Sequence, residues 1–225
     1  MDQNLINDII EWDIKNWSKA LDFWDKKIDI KDKNLHCLEL GGRRGGLSLW
    51  LGINKNQVIC SDLDNPENIA SVLHKKYQLD NIKYEAINAT NIKYENTFDI
   101  VIFKSILGGI SRNDNKLKKQ IISQIYKSLK PNGKLLFAEN LEASFFHKLA
   151  RNLFIKWSKE WNYLKYEETK ELFSDFKKVE FITVGFFATF GRSEKQRTFL
   201  AKIDDFIDSF IPENKKYILI AYLEK

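Results

Sequence analysis

The sequence predicts an α/β fold, a doubly wound and mostly parallel sheet with helices on both faces and a helical segment leading into it. Three observations carry this expectation. From Leu35 onward, short β-rich runs alternate with segments of helical periodicity, the pattern that right-handed strand–helix–strand crossovers require. A glycine-rich turn, Gly41-Gly42-Arg43-Arg44-Gly45-Gly46, follows the first run. An acid, Asp62, closes the second.

Each element has its own reason. Ile6, Ile10, Ile14, Trp17, Leu21 and Trp24 recur at steps of three and four, one face of a helix, so residues 1–30 read as a helical cap of one or two helices. Strands are expected at 35–40, 57–62, 82–88, 98–104 and 134–139, with helices at 46–51, 66–77 and 113–129 between them. Pro66 suits a first helical turn, where its missing N–H goes unnoticed, and Pro131-Asn132-Gly133 is turn chemistry ahead of the fifth strand. Beyond Asn140 the order changes: helices at 144–161 and 166–173, a strand at 178–187, a helix at 194–210 and a seventh strand at 216–223. No repeat, low-complexity tract or linker interrupts this. Residues 1–225 are therefore expected to form one domain, with a cap at 1–30, a ligand-binding core at 35–140 and substrate-side elements at 141–225.

Composition narrows the class. Of 225 residues, 44% are hydrophobic and 30% charged, the balance of an ordinary globular protein, and no apolar run approaches the roughly 20 residues of a membrane span. The first residues lack a basic region followed by an apolar stretch, so a cytoplasmic location is expected. Cys37 and Cys60 fall inside predicted core strands, where a free thiol behaves as a small hydrophobe; neither reads as a metal ligand or nucleophile, and no metal is expected. The net charge is +5, and Lys104, Arg112, Lys116, Lys118, Lys119, Lys127 and Lys130 cluster against Asp114 alone. Lysine is used heavily throughout the chain, so this run reads as a solvated helix face in preference to a nucleic-acid patch.

Open parallel sheets bind ligands beyond the carboxyl ends of their strands, where the strand order reverses. Glycines at the first strand's exit permit positive φ and close approach of a ligand, and the following helix offers free N–H groups. Asp62, about 20 residues further on, can accept hydrogen bonds from both hydroxyls of a ribose. A nucleoside ligand follows. Nicotinamide and S-adenosylmethionine proteins share these features, so the residues to this point leave both open.

Later motifs carry a resemblance. Glu39 to Gly45 looks like an acid-x-Gly-x-Gly-x-Gly motif, Ser61 to Pro66 like a ribose-binding segment, and Ile87-Asn88-Ala89-Thr90 like an adenine-binding Gly-Asp-Ala segment. Phe98-Asp99-Ile100-Val101-Ile102 is similar to a fourth strand, and Leu129-Lys130-Pro131-Asn132-Gly133-Lys134 to a Leu-Lys-Pro-Gly-Gly turn. In this order the motifs over 35–140 resemble the class I, Rossmann-like S-adenosylmethionine-dependent methyltransferases, specifically the small-molecule type that includes ubiquinone and menaquinone biosynthesis methyltransferases. The resemblance implies a seven-stranded sheet with an antiparallel last strand. It implies that S-adenosyl-L-methionine is held by Glu39, Gly41, Gly42, Arg43, Gly45, Asp62, Leu63, Asn88, Ala89, Thr90 and Lys104, with Trp17 folding over its methionine end. Two positions depart from the pattern. Arg43 replaces the middle glycine, so its side chain points away from the cofactor or meets its carboxylate, and Asn88 stands where the family often has Asp, its oxygen able to accept from the adenine amino group.

The expected reaction is methyl transfer to O or N of a small metabolite or a sugar or glycan intermediate. His147, just past the fifth strand, is the candidate base, whereas His36 and His74 read as structural or exposed. In 144–161, Phe146, Leu149, Ala150, Leu153, Phe154, Trp157 and Trp161 share a face opposite Lys148, Arg151, Lys156 and Lys159. That face is expected to close over the acceptor, with Phe146, Phe154 and Trp157 touching it; the same pattern would suit a membrane surface. Phe186, Phe187 and Phe190 lead to Arg192, which could hold an anionic acceptor. Lys104-Ser105-Ile106-Leu107 lacks the Asn/Asp-Pro-Pro-Tyr/Phe sequence that grips the amine of a nucleic-acid base, so nucleic acid is disfavoured as a partner. The alternatives are an RNA methyltransferase, a non-catalytic adenosyl-ligand binding protein and an NAD-dependent oxidoreductase.

Overall fold

The computed structural model of the protein describes residues 1–112, 114–154 and 160–225. Seven strands, β1 (His36–Leu40), β2 (Gln57–Asp62), β3 (Ile82–Ala86), β4 (Phe98–Lys104), β5 (Leu129–Asn140), β6 (Lys178–Val184) and β7 (Ile218–Glu224), form one sheet in the order β3-β2-β1-β4-β5-β7-β6. The pairings from β3 across to β5 are parallel. Only β7 runs against its neighbours, as the resemblance implied. The order reverses between β1 and β4, so the crevice between their carboxyl ends is where a ligand has room.

Period-two alternation divides the core. Ile100, Ile102, Leu136, Ala138, Ile218 and Ile220 face one layer, while Val101, Phe103, Leu135, Phe137, Leu219 and Ala221 face the other. Both faces are covered, which is why these strands read as continuous apolar runs. On the first face lie α1 (Gln3–Ile10), α2 (Ile14–Trp17), α3 (Lys19–Asp25), α4 (Gly46–Ile53) and α5 (Glu67–Lys76); α7 (Asn115–Ser128) covers the second. The leading segment, expected as one or two helices, makes three short ones, with the turn from α1 to α2 taken through positive φ at Glu11 and Asp13. Its apolar stripe packs into the sheet, with Ile10, Trp17, Leu21 and Trp24 buried together.

Four features differ from the sequence reading. A short helix, α6 (Leu107–Ser111), follows β4; two glycines in five residues had hidden it. β5 begins at Leu129, so Pro131-Asn132-Gly133 lies within its bounds, accommodated by positive φ at Asn132 and a register shift against β4. The basic run is internal at Lys118, which is buried and paired to Glu168, while Lys119 pairs with Glu171 at the surface and Lys130 with Asp99 at a half-exposed site. The largest difference is α8 (Phe145–Phe154), which turns His147 and Arg151 inward and leaves Phe145, Phe146, Leu149 and Leu153 exposed. Trp157 and the side chain of Phe154, expected on that face, lie outside the described residues and atoms. A lid made of that apolar face is therefore not what the described part of the helix forms.

The chain's start and its final third are joined by buried polar groups. Asn16 donates to Asp204 Oδ2 and to the Tyr217 hydroxyl, both at 3.0 Å, Tyr217 donates to Asp13, and Asp204 accepts from the Phe187 and Ala188 amides. α10 (Glu194–Ile207) supplies Asp204 and α9 (Thr169–Leu172) lies on the opposite face. Burial pushes the Asp13 carboxyl up to about 7. A folded-state value above the unfolded one means that stability is fully present below the unfolded value and falls as pH rises toward 7. Asp13→Asn keeps the acceptor for Tyr217 and removes the charge. We expect it to gain stability at pH 8 relative to wild type by more than about 1.4 kcal/mol, one pKa unit, and to show little gain at pH 4; equal unfolding midpoints at pH 8 would contradict this.

Candidate active site

The turn after β1 is shaped by what surrounds it. Gly41 and Gly45 have φ of 65° and 75°, and a Cβ on Gly46 would lie 2.1 Å from the Ile9 carbonyl oxygen. The end of α1 thus rests directly on the turn, and only glycine permits it. Glu39, buried at the end of β1, accepts from Ser48 N at 2.8 Å and Leu47 N at 3.3 Å, anchoring the first turn of α4; burial holds its carboxyl above the usual carboxylate range. His74 braces the same turn. Its Nε2 lies 2.9 Å from Gly45 O and its Nδ1 lies 2.8 Å from the Tyr84 hydroxyl, so Nε2 donates, Nδ1 accepts, and burial lowers the ring's pKa toward the neutral form.

Arg43 occupies the middle position with φ 44°, so its backbone does what a glycine's would, at a cost of roughly 1–2 kcal/mol for an L-residue. Arg43 N donates to Asp62 Oδ2 at 3.1 Å and Leu63 N to Asp62 Oδ1 at 2.7 Å. Each carboxylate oxygen keeps a second lone pair. The guanidinium of Arg43 is exposed and carries no hydrogen bond or ion pair among the described residues.

Two adjoining cavities open at this edge of the sheet. One, of about 630 Å³, is lined by Gly41, Arg43, Asp62, Leu63, Asn88, Ala89, Thr90, Ser105, Ile106 and Trp161 among others. The second, of about 410 Å³, is lined by Ile9, Glu11, Trp12, Glu39, Gly41, Gly42, Arg43, Lys104, Ser105, Asn140 and Trp161 among others. Gly41, Arg43, Ser105 and Trp161 line both, making one bent cleft across the ends of β2, β1 and β4. Trp161 lies against Gly108 and Gly109, where any Cβ would meet its indole ring within 3 Å.

The sequence-derived set is largely brought together, with corrections at Trp17, Asn88, Lys104, His147, Phe146 and Arg192, and Gly45 lies behind the cleft, lining neither cavity. Trp17 is buried in the core and lines neither cavity; Trp12, off the apolar stripe and beside the kink at Glu11 and Asp13, takes that place. Asn88 spends its side-chain oxygen on Thr90 N and Oγ1, at 2.9 and 2.8 Å, so its amide is left to act as a donor. Lys104 donates to Ile10 O at 2.6 Å and lies 4.0 Å from Glu11, and burial lowers its pKa; it fastens the α1–α2 corner over the cleft. His147 is not placed to act as a base. Its nitrogens are 2.6 Å from Ser144 Oγ and 2.9 Å from Phe186 O, burial pushes its pKa down to about 4, and it lines neither cavity of the cleft. Phe146 projects into solvent, and Arg192 lines a different cavity.

A family model described as "Methyltransferase domain" matches residues 64–183, more than half of the chain. The chain belongs to this methyltransferase family. No curated protein matches its sequence. Among solved structures, the chain superposes on a Haemonchus contortus phosphoethanolamine N-methyltransferase 2, in complex with phosphomonomethylethanolamine and S-adenosylhomocysteine, with TM-score 0.64 and 18% identity, covering 93% of this chain and 52% of that one. It spans about half that enzyme's length. It also matches a Methanosarcina mazei SAM-dependent methyltransferase with TM-score 0.64, 15% identity and coverage of 90% and 96%. The [4+2]-cyclase SpnF matches with TM-score 0.60, 14% identity and coverage of 92% and 80%. At these identities the likeness is one of fold, and the fold serves more than one chemistry. No described helix is long and apolar enough to cross a membrane.

Glu11, Trp12, Ser105 and Ile106 line the cleft and were missed by sequence reasoning. Ser105 offered a faint signal, as the residue leaving a strand at the switch point; its positive φ turns the chain back along the cavity wall.

Proposed function

We propose that the protein transfers a methyl group from S-adenosyl-L-methionine to O or N of a small-molecule acceptor. The observation that supports this most is the bent cleft, because it sets a carboxylate, Asp62, beside a strand-to-helix turn whose backbone a ligand can touch. The residues fit an adenosyl group. Asp62 would take the ribose hydroxyls, Ile87, Ala89 and Ile106 would flank the adenine, and the Asn88 amide would donate to a ring nitrogen. The amino acid end would lie in the second lobe among Gly41, Arg43 and Trp12, with Arg43 free to meet its carboxylate. When bound, the sulfonium supplies a methyl group already activated for in-line displacement.

The chain's own contribution is alignment and exclusion of water. Lys104 and Glu11 hold the end of α1 and Trp12 over the opening, and Trp161 fills the space against α6. Glu39 has both oxygens committed to α4, so its part in the cleft is to hold the turn after β1. Calorimetry with S-adenosylhomocysteine, S-adenosylmethionine and NADH tests the reading. Binding of the first two and not the third is expected, and preferential binding of NADH would overturn it.

A further inference from the structure

A third cavity, of about 570 Å³, lies between His147, Ala150 and Arg151 of α8 and the segment carrying Phe190, Arg192 and Arg197. Taking the cleft as the donor site, we propose that this cavity holds an anionic, phosphate-class group of the methyl acceptor, gripped by Arg192 and Arg197. Its described lining contains three arginines and no carboxylate, a charge imbalance that a protein wall maintains at a cost unless an anion offsets it.

The arginines are prepared to different degrees. Arg151 is fixed, its Nη1 donating to Leu141 O and Glu142 O at 3.0 Å and its guanidinium lying 3.9 Å from the Tyr163 ring centre. It sets the positive potential of the wall. Arg197 is half-buried; its Nη1 is 3.5 Å from Glu194, beyond a strong hydrogen bond, and its buried Nε has no partner among the described residues. Glu194, which also accepts from Asp13 N and Ile14 N at 3.0 and 2.7 Å, meets Arg197 through Nη1 alone, leaving the other N–H groups of the fork unused. Arg192 is exposed at the mouth, and its guanidinium has no hydrogen bond or ion pair among the described residues. Two planar forks with unused N–H groups match the several oxygens of a phosphate better than a single carboxylate. His147, neutral with both nitrogens engaged, adds a firm wall and no competing charge.

Position ties this cavity to the reaction. The Arg197 guanidinium lies 5.5 Å from the centre of the Trp12 ring, and Trp12 lines the donor cleft. The Trp12 ring of the donor cleft thus stands beside one arginine of this cavity. An acceptor with its anionic end among the arginines would extend past that ring to bring its other end toward the donor.

The test is titration calorimetry with inorganic phosphate and with glycerol phosphate, on the protein with and without saturating S-adenosylhomocysteine. Both phosphates are expected to bind, and Arg192→Gln and Arg197→Gln are each expected to weaken them by about tenfold or more with circular dichroism unchanged, and Arg192→Gln, remote from the donor cleft, is expected to leave S-adenosylhomocysteine affinity unchanged. Vesicles of phosphatidylcholine with and without phosphatidic acid identify the source: tighter binding to phosphatidic acid vesicles than to glycerol phosphate assigns a lipid headgroup, and the reverse a soluble metabolite. Absence of binding by phosphate, glycerol phosphate and phosphatidic acid alike, or unchanged binding in both variants, overturns the proposal. Failure of S-adenosylhomocysteine alone to bind would instead overturn the donor reading, since the phosphate titration is also run without it.

Discussion

Asp62→Ala is expected to weaken binding of S-adenosylhomocysteine by about a hundredfold. Two ribose hydroxyls would each lose a bond to a charged acceptor, worth roughly 1.5–3 kcal/mol apiece, and every 1.4 kcal/mol is about tenfold in affinity. The same substitution releases Arg43 N and Leu63 N from the carboxylate, loosening the two segments that meet under the nucleoside. Both amides are at the surface, so water replaces the lost acceptor and the fold should survive. Asp62→Asn, which keeps one oxygen of the two, is expected to fall between wild type and alanine. Calorimetric titration measures both, and full affinity in a folded alanine variant would remove Asp62 from the donor site.

Trp24→Ala carries the largest expected cost in stability. The ring is fully buried, its Nε1 donates to Ala221 O at 2.9 Å and it lies 5.7 Å from the Trp50 ring centre. Removing such a side chain costs about 3–5 kcal/mol, set against a typical total of about 5–15 kcal/mol for a domain. Trp24→Phe, which keeps an aromatic ring but forfeits the hydrogen bond to β7, should lose less. Urea unfolding followed by circular dichroism gives the comparison. A loss below about 1 kcal/mol in the alanine variant, less than burial of one good side chain contributes, would show that the leading helices are only loosely attached to the sheet.

How far the sequence was legible depended on whether a residue's role is decided by its neighbours in the chain or by distant ones. The strands at 57–62 and 98–104 have the expected bounds because buried parallel strands are written as apolar runs. Asp62 and the glycines were found because a strand followed by a tight turn fixes where the chain end points. Trp17 and Trp12 could not be told apart by periodicity, since the deciding event is the reversal at Glu11 and Asp13. His147 looked available because its partner, the Phe186 carbonyl, is far along the sequence. The amphipathic pattern of α8 was real, but a pattern gives two faces without saying which is inward; His147 and Arg151 settled that by finding buried acceptors.

The link between Trp24 and Ala221 has a consequence for how the molecule is made. The two residues are 197 positions apart, and Asp13 and Tyr217 are 204 apart. At synthesis rates of about 5–20 residues per second, Trp24 leaves the ribosome roughly 10–40 s before the strand that receives it. For that interval Ile10, Trp17, Leu21 and Trp24 have only a partial sheet to rest on. The layer they belong to closes last, after translation of β7, although its residues come first.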